Sequence, residues 1–167
     1  MSAAYDPELW HDLFVAVAGA SAALAGLLFV AVSINVDRIL KYEGLPERGI
    51  EALAMLLTAL VVSIAGLMPG QSHVALGLEL LGIAAALFAV LFALPVTHQL
   101  PDDADRPPAW LLSRWLIRLT GSGLLAIGAL SELLGFGGGL YWVAAGFVFL
   151  ILGAVGNAWV LLIEILR

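Results

Sequence analysis

Five ionisable side chains fall near one end of this chain's apolar segments: Asp12, Glu79 and Glu132, with His11 and His73. Carboxylates and imidazoles at one depth could make a cation entry site, a proton relay or a weak metal site. Glu79 is the deepest, about six residues inside an apolar run, or ~9 Å at the rise of a helix. A carboxylate there must be paired, hydrated or protonated. It falls on a stripe of small residues with Ala75, Gly82 and Ala86, so it is expected to face protein rather than lipid. Glu132 falls on the stripe Gly121, Gly128 and Gly135, about one turn from the same surface. Glu79, Glu132, Asp12 and His73 are therefore the candidate permeation or proton site. The plainer alternative is an interfacial Asp12 and Glu132 beside a Glu79 bonded to a neighbouring helix.

The opposite end offers Asn35, Thr120, Asn157 and Glu164. Asn157 is expected to bond between helices. Glu164 could pair with Arg167 or Arg118, and Asp37 with Lys41 at i,i+4. Thr58 and Ser63 can bond back to their own helix carbonyls. No run of arginines suits voltage sensing, no carbonyl-filter loop is present, and no His pair at i,i+4 suits zinc. Gly121-Ser122-Gly123 lacks the frame of a nucleophile turn and has no base. With no Cys, disulfides and thiolate chemistry are excluded. The expectation is a protein that is not an enzyme, with no cofactor and no metal.

These residues need a frame, and the apolar runs supply it: 12–35, 50–68, 74–97, 114–135 and 140–166. Each is long enough to cross a hydrocarbon core of ~30 Å. The composition, 62% hydrophobic, leaves no room for a separate soluble domain. Residues 1–167 read as a single all-α membrane domain of five transmembrane helices. Inner loops are 36–49 and 98–113, and outer turns are 69–73 and 136–139. The first helix is expected to run on through Tyr42 until Gly44 and Pro46 stop it. A hydrophilic linker, Pro101–Pro108, precedes the fourth helix, with Pro108 suited to its first turn.

Orientation follows from charge. Threaded with the amino end outside, the chain puts Arg38, Lys41 and Arg48 in the first inner loop. Arg106, Arg114 and Arg118 then lie in or beside the second, and Arg167 at the inner end. All seven basic residues are then inside, as the positive-inside rule asks. The first residues carry Asp6, Glu8 and Asp12 and no basic residue, unlike a cleaved signal peptide. The natural compartment is a bacterial inner membrane. The net charge of -6 carries no nucleic-acid signature.

Small residues recur every seven positions: Gly19, Gly26, Ser33; Ala52, Ala59, Gly66; Gly121, Gly128, Gly135; Gly139, Gly146, Gly153, with Asn157 following. Such a repeat keeps one stripe toward a partner in a left-handed bundle, and small residues let helices approach in lipid. The third run alternates by four and three through Ala75, Glu79, Gly82 and Ala86. Surplus stripes, above all on the first run, predict a homo-oligomer.

The stretch Phe14 to Asn35, with its Ala-Gly-Ala-Ser-Ala-Ala-Leu-Ala-Gly core (residues 18–26), precedes Arg38-Ile39-Leu40. It resembles the first span of small bacterial multi-pass membrane proteins, some automatically labelled as modulators of a membrane-anchored AAA protease. The resemblance covers about a fifth of the chain and transfers no site residue. It implies a membrane-protein partner. Three functions are thus in view: a homo-oligomeric channel using the outer acidic seam, a non-catalytic accessory protein, or a proton-coupled transporter.

Overall fold

A computed structural model describes residues 3–42, 44–94 and 109–166. The linker 101–108, with Arg106 and Pro108, lies outside the described residues, as do 95–97 and Arg167; so do the side chains of Arg114 and Glu164.

Two 3-10 turns, Ala3–Tyr5 and Pro7–Trp10, lead into α1 (His11–Ile34); α2 (Val36–Ile39), α3 (Leu45–Gly66), α4 (His73–Ala93), α5 (Ala109–Leu134) and α6 (Leu140–Leu166) follow. Among the described residues, four helical stretches are long and apolar enough to cross a membrane: Pro7–Ile34, Leu45–Gly66, His73–Ala93 and Leu140–Ile163. α5 is of similar length, 26 residues, but carries charged residues within it.

The first helix does not run through to Tyr42. It stops at Asn35, whose side-chain amide donates back to the Ala31 carbonyl at 2.9 Å. α2 is a separate single turn. Gly44, at φ 86°, begins α3 instead of ending α1, and Pro46 follows in the first turn of α3. α3 therefore starts at Leu45, inside what the hydropathy pattern assigns to a loop.

α3, α4, α5 and α6 pack in sequence, and α6 closes back on α3. α1 lies outside this ring, against α3 and only lightly against α6. Met55, Leu80, Leu87, Leu125 and Leu150 fill the core.

Small residues set several of the contacts. A Cβ on Gly121 would meet Leu150 at 2.9 Å, one on Gly128 would meet Val143 at 2.7 Å, and one on Gly146 would meet Leu125 at 3.0 Å. Gly153 is buried as well. Gly66 receives the Phe14 ring, and Gly77 admits Leu133 and the Ala129 carbonyl of α5. Two stripes behave differently. A Cβ on Gly19 or Gly26 would have nothing within 4 Å, and both glycines are exposed, as is Ser33. α1 instead buries Phe14, Val17, Ser21 and Leu28, on its opposite side. α4 likewise buries Leu76, Gly77, Leu80, Ala84, Leu87 and Leu91 and turns Gly82 and Ala86 outward. In both helices the bulkier side chains fill the core, which displaces the small stripe to the outside.

Candidate functional site

Polar groups meet at two places in the ring, one at each end of its apolar core. The first gathers one group from each of the four helices. Arg118 of α5 donates from Nη2 to Glu51 Oε1 of α3, a pair with side chains 1% and 2% exposed. Asn157 of α6 donates to the other Glu51 oxygen at 3.2 Å. Arg118 Nη1 donates to the Leu91 carbonyl at 2.9 Å and to Leu94 at 3.4 Å, satisfying carbonyls that the end of α4 leaves open. The Trp115 ring lies 5.8 Å from the guanidinium carbon. Arg48, one turn before Glu51, is buried too. An ion pair withdrawn this far from solvent persists only when its remaining donors and acceptors are met, and here all but Arg118 Nε are.

The second place is the end where α5 turns into α6. Ser131 Oγ donates to the Phe136 carbonyl at 2.5 Å and accepts from Gly139 N–H at 2.7 Å. This holds a turn in which Gly135, Gly137, Gly138 and Gly139 all have positive φ. The Tyr5 hydroxyl reaches across from the amino-terminal turn, accepting from Gly138 N–H at 3.0 Å. Trp10 stands edge-on to Tyr141 at 4.7 Å. Beneath lies Glu132, 0% exposed. Neither of its carboxyl oxygens makes a hydrogen bond of good geometry, although the Leu140 N–H approaches the carboxyl as a weak donor and the His73 ring acts on it electrostatically. His73 itself places Nδ1 3.1 Å from the Glu132 carbonyl. A cavity of about 650 Å³ opens beside it, lined by Tyr5, Asp6, Glu8, His11, Gln71 and His73 among others.

Of the sequence-predicted outer group, the structure therefore brings together His73 and Glu132. Asp12 is exposed on the first turn of α1. Glu79 does not turn into the protein: it is exposed and accepts from Gln71 Nε2 at 2.6 Å. The cause is the choice of buried face on α4, which carries Glu79 outward with the small stripe. Among the described residues no three His, Asp or Glu side chains converge as a metal site requires.

Glu51 and Arg118 were not predicted as a site. Both sit near the ends of apolar runs, where charge is ordinary, and Arg118 bears there on orientation and on a pairing with Glu164. The available signal was register. Arg118, Ser122, Leu125, Ala129 and Glu132 follow one another by four and three along α5, so the arginine and the glutamate share the buried face. Comparison with protein-family models, with curated proteins and with solved structures found no match to this chain.

Proposed function

We propose that this chain is a five-span, homo-oligomeric protein of a bacterial inner membrane, amino end outside and carboxyl end inside. In this reading it has no catalytic role and acts by binding other helices in the plane of the bilayer, as an accessory subunit of another membrane protein. The observation that carries it is the outward face of α1, where Gly19, Gly26 and Ser33 are open on one stripe. Small residues on a lipid-exposed face favour close helix association. The first-span resemblance suggests a membrane-anchored protease as one class of partner. α5 supports a fifth span because its charged Arg118 and Glu132 are buried. Its outward side chains include Leu116, Leu119, Ile127 and Leu130.

A second reading, ion or proton permeation or proton-coupled transport, is favoured by one observation, the buried carboxyl of Glu132 with no hydrogen bond of good geometry. The leucine-filled core makes a path along the axis of one protomer unfavourable, so flux would run between copies. The two readings separate in proteoliposomes and in membranes. The accessory reading expects no proton or cation flux from the reconstituted protein, and a co-purifying membrane protein whose capture is lost in Gly26→Leu. Flux that falls in Glu132→Gln would replace it with the permeation reading.

A further inference from the structure

Glu132 is a fully buried carboxyl whose oxygens make no hydrogen bond of good geometry, with the Leu140 N–H as a weak donor. One of its neighbours can only accept. A Cβ on Gly139 would lie 2.7 Å from Glu132 Oε1, and the Ala4 carbonyl oxygen lies closer still to the same point. The carboxyl and the Ala4 carbonyl therefore share one small space, roofed by the amino-terminal turn. Two oxygens that can only accept repel each other there; a carboxylic acid, with one O–H to donate, does not. The remaining groups facing Glu132 are few. α4 offers His73, the amino-terminal turn offers Tyr5, and α6 offers the Leu140 N–H. Asp6, Glu8 and His11 stand further off, along the cavity.

We propose that Glu132 is a proton-operated latch for the amino-terminal turn, residues 3–10. With the proton bound, the turn seats over the carboxyl. With the proton released, the turn lifts and water from the neighbouring cavity reaches the carboxylate. The contacts that hold the turn suit such a motion. Tyr5 to Gly138, Trp10 to Tyr141 and the Trp10 indole to the Ala3 carbonyl (2.7 Å) are few and local. Trp10, the last residue of the turn, also packs against the hydrophobic core and is the hinge on which the rest of the turn would lift. The latch is independent of whether the protein acts as an accessory subunit or a permeation path.

The chain has no cysteine, so a single reporter thiol is clean. Ala4→Cys in nanodiscs is labelled with a maleimide between about pH 5 and pH 8, with Phe136→Cys as the exposed reference for thiol reactivity. The corrected rate for Ala4→Cys is expected to rise with pH, by up to about tenfold per unit while one proton is being released. In Glu132→Gln, whose amide can donate as the acid does, the rate should stay low at every pH. His73→Gln should move the midpoint without removing the rise. Amide exchange at Gly138, corrected for intrinsic rates, reads the same opening in the cysteine-free chain. A flat native profile, a rate that falls with pH, or an unchanged rise in Glu132→Gln would each overturn the proposal.

Discussion

Glu51 and Arg118 carry large energetic stakes because each is held away from water by the other. Removing one partner of such a pair leaves an uncompensated charge and costs about 3–5 kcal/mol, whereas replacing both with apolar residues is often near neutral. Glu51→Leu and Arg118→Met should thus each lower the unfolding midpoint of the detergent-solubilised protein strongly. The double variant should recover much of the loss. Recovery will be incomplete, since Arg118 also satisfies the Leu91 and Leu94 carbonyls and Asn157 would lose its acceptor. Equal losses in the two single variants that simply add in the double would mean that the pair does not couple.

At the scale of the helix, the question is which face each element buries. Seven-residue spacing marks the small stripes of α3, α5 and α6, and within the helices those stripes lie inside: Ala52, Ala59, Gly121, Gly128 and Gly146 are all buried, whereas Gly135, in the turn beyond α5, is exposed. The same spacing on α1, and the four-three spacing on α4, mark faces that point out. Periodicity identifies a stripe but not its direction, and the volume left in the core decides that. α4 offers Leu76, Leu80, Leu87 and Leu91 on the other side, and these fill the space between α3 and α5 better than glycine and alanine. Glu79 points outward from the protomer for this reason, and Gly77, which admits α5, lies off the stripe that the spacing marks. Two substitutions separate inward from outward glycines. Gly128→Leu drives a side chain into Val143, 2.7 Å from its Cβ position. It should cost at least the ~1–3 kcal/mol typical of overpacking, read as a lowered midpoint of thermal unfolding. A Cβ on Gly26 meets nothing within 4 Å, so Gly26→Leu should leave protomer stability unchanged or slightly higher, as a better helix former. If the open stripe of α1 serves association, the same variant should shift the protein toward monomer in cross-linking at native concentration.

For the whole molecule, the count of spans turns on α5. Its residues at one end, Glu132 and Ser131, meet His73 and Tyr5; Arg118, about 21 Å along the helix from Glu132 at 1.5 Å per residue, meets Glu51 and Asn157. Helix α5 thus runs between the same two ends as its neighbours in the ring. If α3, α4 and α6 cross the bilayer, α5 has nowhere to lie but across it, with Arg118 paired to Glu51 and Glu132 buried away from lipid. Its outward leucines would then face hydrocarbon, where they cost nothing. The chain would cross an odd number of times. Single cysteines at Leu9, Pro69 and Phe136 should then react with an impermeant reagent from one side of an intact cell, and a cysteine at Leu40 only after the membrane is opened. All four positions are exposed, so an unreactive thiol reports sidedness and not burial. Labelling of Leu40→Cys from outside would invert the orientation drawn from the basic residues. Labelling of Phe136→Cys from the side opposite to Pro69→Cys would remove α5 from the membrane and with it the fifth span.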